Sequence, residues 1–182
     1  IERAVTFGVT QFFISVHYLA NQIKNELGDG SSMGASITYL HEDEPLGTAG
    51  SLKLLPDMNG PFIVSNADII CDINFSQFIN HHRSNDATAT MLVYEQEIQH
   101  KFGVVTCDGI FITGFEEKPI WRTRVNAGIY IFENKVKEFI EANEKIDIPE
   151  LFLRMKKQRE KIIIYPFEGH WFDIGNFDDY NK

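Results

Sequence analysis

Ile37-Thr38-Tyr39-Leu40-His41-Glu42-Asp43-Glu44-Pro45-Leu46-Gly47-Thr48-Ala49-Gly50 runs from an apolar stretch, through three acids, into a small-residue turn. Ile37 to Leu40 reads as a strand. Ala49 to Leu55 reads as a helix, stopped by Pro56. The same rhythm recurs on either side. Upstream, Ile1, Val5 and Gly8 read as the last turns of a helix closed by a glycine. Phe12 to Val16 reads as a buried strand, and Ala20 to Leu27 as a helix ending at Gly28, before a loop at Asp29-Gly30-Ser31-Ser32. Downstream, Phe62-Ile63-Val64 is a buried strand that ends at Asn66-Ala67-Asp68. Phe75 to His82 reads as a helix and Ala87 to Tyr94 as a strand. Helices alternating with continuous apolar strands predict an α/β fold whose mostly parallel sheet is covered on both faces.

The second half changes character. Gly103-Val104-Val105, Ile110-Phe111-Ile112 and Ala127-Gly128-Ile129-Tyr130-Ile131 are short strands separated by Gly and Asp turns. They predict an antiparallel or mixed excursion on the same sheet. Val136 to Ala142 and Pro149 to Lys157 read as helices, Ile162 to Tyr165 as a late strand, and Asn176 to Tyr180 as the start of a final helix. With 182 residues and no repeat, low-complexity tract or linker, the expectation is one domain over residues 1–182. The chain enters its first helix in mid-run, with no Met and no capping residue, so it is expected to be N-terminally truncated.

A formal net charge of −9 argues against a general nucleic-acid binder, which needs a basic face. No apolar run reaches membrane-spanning length and no signal peptide opens the chain, so the expected location is cytoplasmic and no membrane partner is expected. Cys71 and Cys107 lie far apart with no metal spacing, and read as buried free thiols in a reducing compartment. The six His residues show no ligand spacing and read as structural or exposed.

Several polar residues carry candidate chemistry. Gly47 lets backbone amides approach a flat ligand edge, and Thr48 is placed to cap the helix expected at Ala49. A carboxylate beside such a turn can accept two N–H donors from a guanine edge, with Glu42 and Glu44 competing for that place. Asp68 directly follows an apolar strand, at the edge where open α/β sheets bind ligands, and reads as a metal ligand or a turn aspartate. Asp173, in Trp171-Phe172-Asp173-Ile174-Gly175, sits among bulky apolar residues, where a carboxylate needs a partner, a metal or a cap to make. In Gly114-Phe115-Glu116-Glu117-Lys118-Pro119, the proline predicts an extended Lys118, with Glu117 and Lys118 pointing to opposite sides. Val125-Asn126-Ala127-Gly128-Ile129-Tyr130 reads as a strand, with Gly128 either a bulge or a place left open for a ligand ring. Arg122 and Arg124 read as solvated surface residues.

Taken in order, five blocks from Glu42 to Gly175 resemble the sugar-1-phosphate nucleotidyltransferases, most of all the mannose-1-phosphate guanylyltransferase-like branch. The resemblance implies a Rossmann-like, nucleotide-diphospho-sugar transferase type of sheet that lacks its first strand. It implies that Asp68 and Asp173 bind Mg²⁺, and that Lys118, Asp68 and Asp173 form the catalytic set. Glu42, Leu46, Gly47 and Thr48 would hold the nucleotide base. Gly103, Glu117, Lys118, Asn126 and Gly128 would hold the sugar phosphate, with Glu117 preferred over Glu116 because it adjoins Lys118. The implied substrates are an NTP, with GTP favoured, and a sugar 1-phosphate. A homo-oligomer is compatible with this reading. The family's Gly-rich loop, with its Arg, and its Lys-Pro segment have no counterpart here, so this stretch alone is expected to turn over poorly. Two rival classes stand beside this one. A metal-dependent glycosyltransferase usually carries Asp-x-Asp, whereas Asp68 and Asp72 are four apart. A non-catalytic sugar-nucleotide sensor, such as a regulatory subunit, has no need of Asp68, Asp173 and Lys118.

Overall fold

The computed structural model describes residues 1–175; the helix expected from Asn176 to Tyr180 lies outside the described residues. Helix α1 (Glu2–Thr6) closes at Phe7, and Gly8 follows with φ +83°, the left-handed turn that a glycine adopts without strain. Strand β1 (Gln11–Val16) then pairs in parallel with β2 (Ser36–His41), with α2 (Ala20–Leu27) as the crossover between them. A parallel pair needs such a connection because its second strand must restart at the same end.

The core is built on a separate four-stranded sheet. Strands β3 (Phe62–Ser65), β8 (Ile120–Phe132), β5 (Ala89–Gln99) and β9 (Ile162–Phe167) lie side by side in that order. β8 is antiparallel to both β3 and β5, and β9 is parallel to β5. β3, β5 and β9 therefore point one way and β8 alone runs back, the mixed sheet that the Gly-punctuated second half predicts. Among the described residues, β1 and β3 are each hydrogen-bonded on one side only.

Alternation along β8 divides the interior in two. Tyr130 and Phe132 pack on one face with Leu52, Phe139, Leu151, Phe152 and Met155. Ala127, Ile129 and Ile131 pack on the other with Ile73, Phe78 and Leu92. Side chains of a strand point to opposite faces at every step, so a strand apolar at consecutive positions must be covered twice. Helix α5 (Ile148–Lys157) covers the first face and α4 (Phe75–Ser84), capped by the Asn74 side chain on the Gln77 amide, covers the second. Fully burying one of these large side chains contributes roughly 1.5–3 kcal/mol, so the two layers dominate stability.

Several elements differ from expectation. The helix expected over Ala49–Leu55 is a short α3 (Gly47–Gly50) followed by a 3₁₀ turn, Ser51–Leu54, and the helix expected from Val136 is a 3₁₀ segment, Asn134–Phe139. Both are too short to repay α-helix nucleation by themselves, and packing fixes their form. Strands β5 and β8 continue past the core as a polar arm, where Glu95 and Glu97 stand opposite Arg124 and Arg122. Charged residues at every second position gave that arm no apolar period. Strand β4 (Ile69–Cys71) pairs antiparallel with β10 (Trp171–Asp173), and three residues are too few for a pattern. Strands β6 (Val104–Asp108) and β7 (Phe111–Glu116) form a hairpin that pairs with no other strand among the described residues.

The thiols are free, but Cys107 is exposed on the hairpin rather than buried, and Cys71 is half-buried, where desolvation pushes its thiol pKa up. Among the described residues the buried polar side chains are His82 and Thr90; His82 sets its Nδ1 2.7 Å from the Thr90 hydroxyl and its Nε2 3.3 Å from a Glu133 carboxylate oxygen. No helix among the described residues is long and apolar enough to cross a membrane.

Candidate active site

Asp68 and Asp173 come together from distant parts of the described chain. The β4–β10 ladder sets Asp173 opposite Ile69, and the Ile174 amide donates to the Asp68 carbonyl at 2.9 Å. Gly175 lies against both carboxylates. A Cβ placed on it would stand 2.7 Å from Asp68 Oδ2 and 3.1 Å from Asp173 Oδ1, so only glycine leaves that space open. The Gly175 amide donates to Asp173 Oδ1 at 3.0 Å. The pair sits just past the carboxyl end of β3, whose last residue, Ser65, lies opposite Ile129 of β8. Among the described residues no group of three or more His, Cys, Asp or Glu converges as a metal site, and two carboxylates, Asp68 and Asp173, meet here.

Asn126 and Gly128 adjoin this pair. The register of β8 against β5 steps from Met91–Tyr130 to Val93–Asn126, which pushes residues 127–129 out as a bulge. Gly128 carries φ +74°, and its own amide donates to Asn126 Oδ1 at 3.0 Å. A bulge re-aims side chains and frees backbone from the ladder. Here the Gly128 carbonyl accepts from the Asn66 amide at 2.9 Å, and the Ala127 carbonyl accepts from Trp171 Nε1 at 2.9 Å. Of the two sequence readings of Gly128, the structure shows the bulge; a Cβ there would meet Ile69 Cγ1 at 3.0 Å and Asn66 Nδ2 at 3.1 Å, so the protein's own side chains occupy that side.

Gly103, Glu117 and Lys118 form a second group at the base of the hairpin. A Cβ on Gly103 would stand 2.5 Å from the Phe115 ring and 2.8 Å from Glu117 Oε2, so the glycine is where the loop before β6 crosses Glu117. Lys118 is not extended as its place before proline predicted. It adopts φ +48°, left-handed backbone. The cause is the sharp return into β8, which the His100 amide closes on the Pro119 carbonyl at 3.0 Å. A non-glycine residue in this region costs of order 1–3 kcal/mol. Arg122 and Arg124 lie exposed on the arm, paired with Glu97 and Glu95, as their surface reading expected.

The acidic turn is the third group. Glu42 spans the end of β1 and the start of the turn. The Ser15 hydroxyl donates to its Oε1, the Leu46 amide donates to its Oε2 at 2.8 Å, and its carbonyl lies 2.9 Å from His17 Nδ1. Each carboxylate oxygen keeps a further lone pair. Thr48 does not cap its own helix. Its hydroxyl accepts the Ile148 amide, and both its amide and its hydroxyl donate to Asp147. The Leu46 carbonyl accepts from Ile146 and the Ile146 carbonyl from Ala49, each at 3.0 Å.

Every sequence-predicted site residue therefore falls into one of three groups, at strand ends or, for Asn126 and Gly128, at the bulge inside β8. Asn66 and Trp171 link the Asn126–Gly128 bulge to the Asp68–Asp173 pair; Gly103 lies against Glu117, with Lys118 adjoining; and Glu42 holds the Leu46–Thr48 turn through the Leu46 amide. No hydrogen bond or ion pair among the described residues joins one group to the next. Sequence reasoning missed Ser15, Asp147 and the bulge partner Asn66. Asp147-Ile148-Pro149-Glu150 carries a helix-start signature, but nothing in it shows that the aspartate serves a different helix.

An α/β sheet with acids gathered past the ends of its strands is a frame that binds ligands at that edge. The nucleotidyl transferase family model matches residues 1–182, and the chain belongs to that family. It is 37% identical over 188 residues to the mannose-1-phosphate guanylyltransferase catalytic subunit beta of Drosophila pseudoobscura pseudoobscura, covering 99% of this chain and 50% of that protein. It is 33% identical over 190 residues to the mannose-1-phosphate guanyltransferase of Candida albicans, covering 99% of this chain and 52% of that protein. The chain thus spans about half the length of the curated relatives it matches. In fold it is similar to HddC from Yersinia pseudotuberculosis complexed with GMP-PN, with a TM-score of 0.75 at 23% identity, covering 99% of this chain and 80% of that one.

Proposed function

We propose that the protein carrying this chain joins a nucleotide to a sugar 1-phosphate, forming an NDP-sugar, with GDP-sugar favoured, and pyrophosphate. The observation that carries this reading is the convergence of Asp68 and Asp173 around Gly175, beside the bulge at Asn126–Gly128. The guanylyltransferase relatives and the GMP-PN complex of a fold neighbour support the choice of base.

Two carboxylates suit a hard cation. Asp68 and Asp173 would hold Mg²⁺, with phosphate oxygens and water as its remaining ligands. Bound there, the ion supplies charge neutralisation at the phosphates. A phosphate oxygen of the sugar 1-phosphate attacks the α-phosphorus of the NTP. The bond from that phosphorus to the bridging oxygen breaks, and pyrophosphate leaves with the electron pair. The nucleophile is already an anion, so no protein base is needed. Lys118 neutralises the sugar phosphate, Glu117 accepts from sugar hydroxyls and Asn126 bonds to them, with Gly103 and Gly128 lying against the sugar. Glu42, Leu46, Gly47 and Thr48 receive the base. The expected setting is the cytoplasm, and a homo-oligomer is compatible with this reading.

The test is pyrophosphate release by the native-length protein with Mg²⁺, crossing five NTPs with a panel of hexose and heptose 1-phosphates. Activity with one pair, lost by a factor of about 100 or more in Asp68→Asn and in Asp173→Asn, is the expected result. Release of NDP from an NDP-sugar donor, with no pyrophosphate released from any NTP, would identify a glycosyltransferase. Saturable binding without turnover would identify a sensor.

A further inference from the structure

Asp147 stands at the N-cap of α5, yet its carboxylate makes no hydrogen bond to that helix. An N-cap aspartate ordinarily accepts from the second or third amide of the helix it opens. Here Oδ1 reaches across the fold and accepts the Thr48 amide at 2.9 Å and the Thr48 hydroxyl at 3.2 Å. The Thr48 oxygen in turn accepts the Ile148 amide at 2.9 Å, the first donor of α5. The starts of α3 and α5 have exchanged caps across 99 positions of sequence.

Backbone contacts lock the exchange. The Ile146 amide donates to the Leu46 carbonyl and the Ala49 amide donates to the Ile146 carbonyl. Gly47, at φ +75°, permits the approach, since a Cβ there would stand 2.7 Å from the Ile146 oxygen and 2.8 Å from Asp147 Oδ1. From Leu46 to Ala49, the Gly47 amide is the one without a hydrogen-bond partner among the described residues.

We infer that Asp147 is a positioning residue for the nucleotide. Through Thr48 it sets the pose of the Leu46–Thr48 turn and of the Gly47 amide. This rests on the reading that the turn receives the base. Asp147 itself touches no nucleotide. Its effect is preorganisation, since a turn already held in place spares the ligand the cost of ordering it.

Three substitutions in the native-length protein test this. Asp147→Ser keeps an oxygen at the N-cap of α5 but is too short to reach Thr48. Asp147→Asn keeps an acceptor where Oδ1 now lies. Asp147→Glu keeps the charge but displaces it, and serves if the serine variant does not fold. In Asp147→Ser the KM for GTP is expected to rise roughly tenfold, the size of one lost charge-assisted hydrogen bond. kcat at saturating GTP and the KM for the sugar 1-phosphate are expected to stay within about twofold, because the lost bond affects binding and transition state alike. Asp147→Asn is expected to regain most of the GTP affinity. Hydrogen exchange of residues 46–50 in the wild type, with and without GTP, checks the underlying reading separately. Slowed exchange with an unchanged KM for GTP in the serine or glutamate variant overturns the role of Asp147 and leaves the base site standing. Unslowed exchange removes the base site and the role of Asp147 with it. Equal losses in kcat and in both KM values would reduce Asp147 to a general structural part.

Discussion

Replacing Gly50 with alanine sets two principles against each other. Gly50 has helical backbone, φ −62° and ψ −32°, and no need of glycine's left-handed freedom. On propensity alone, alanine would stabilise a helical site by about 1 kcal/mol. The tertiary contact reverses the sign. The new Cβ would stand 2.3 Å from the Glu144 carbonyl oxygen and 2.8 Å from Leu46 Cβ. Neither atom is the end of a flexible side chain, so the backbone must part by about an ångström to reach ordinary contact. Glu144 resists that shift, because Arg154 grips both of its carboxylate oxygens, at 2.6 and 2.8 Å. Overpacking of this kind costs typically 1–3 kcal/mol, and more where neighbours cannot yield. With the cost at the upper end, the net loss is about 2 kcal/mol. At 2–4 °C per kcal/mol for a chain of this size, Tm falls by roughly 4–8 °C. Calorimetry or thermal unfolding followed by circular dichroism reads it directly. A Tm that stays level or rises in Gly50→Ala would refute the reasoning, because helix propensity would then outweigh a contact drawn as closed.

Two further outcomes follow from the core and from its buried histidine. Leu151→Ala, at a fully buried position of α5, should cost about 2–5 kcal/mol with an unchanged m-value in urea. A loss under 1 kcal/mol would mean that α5 does not seat on the sheet. Burial holds the His82 pKa below its usual value of 6.5, with Glu133 opposing the shift. The folded state thus binds this proton less readily than the unfolded chain. Stability is full above pH 6.5 and declines as pH falls through the depressed folded value. Urea midpoints across pH 7.5 to 5 should show this slope, reduced in His82→Gln. Glu144, drawn down to about 2 chiefly by Arg154, titrates in a lower window, between 4.5 and about 2, and is separable from it.

The class of fold was legible because apolar strands and amphipathic helices alternate along the chain. Phe62–Val64 and Ala127–Ile131 are apolar at consecutive positions, and a strand of that kind must be covered on both faces. The candidate site was legible as residue types at ordered places. Asp68 follows a strand and Asp173 lies among bulky neighbours, and each of these is a local fact. Less legible were the short elements. Residues 69–71 and 171–173 are too few to show a period, and the Glu–Arg arm of β5 and β8 has charged residues where a half-buried strand would have apolar ones. Lys118 departs from the expectation set by its proline because the return from the hairpin into β8 demands a turn that dihedral preference alone disfavours.

What the sequence by itself determined was the order of strands and helices, the covered sheet and the acids at its strand ends, because burial and backbone preference act over a few neighbouring residues. Tertiary structure alone decided which of those acids meet. Asp68 reaches Asp173 through a three-residue ladder, Gly128 leaves the sheet in a bulge, and Thr48 gives its hydroxyl to a helix 100 positions away. Such contacts depend on the geometry of the assembled layers, where a hydrogen bond forms between whichever groups packing brings within 3 Å, and no local pattern encodes that distance.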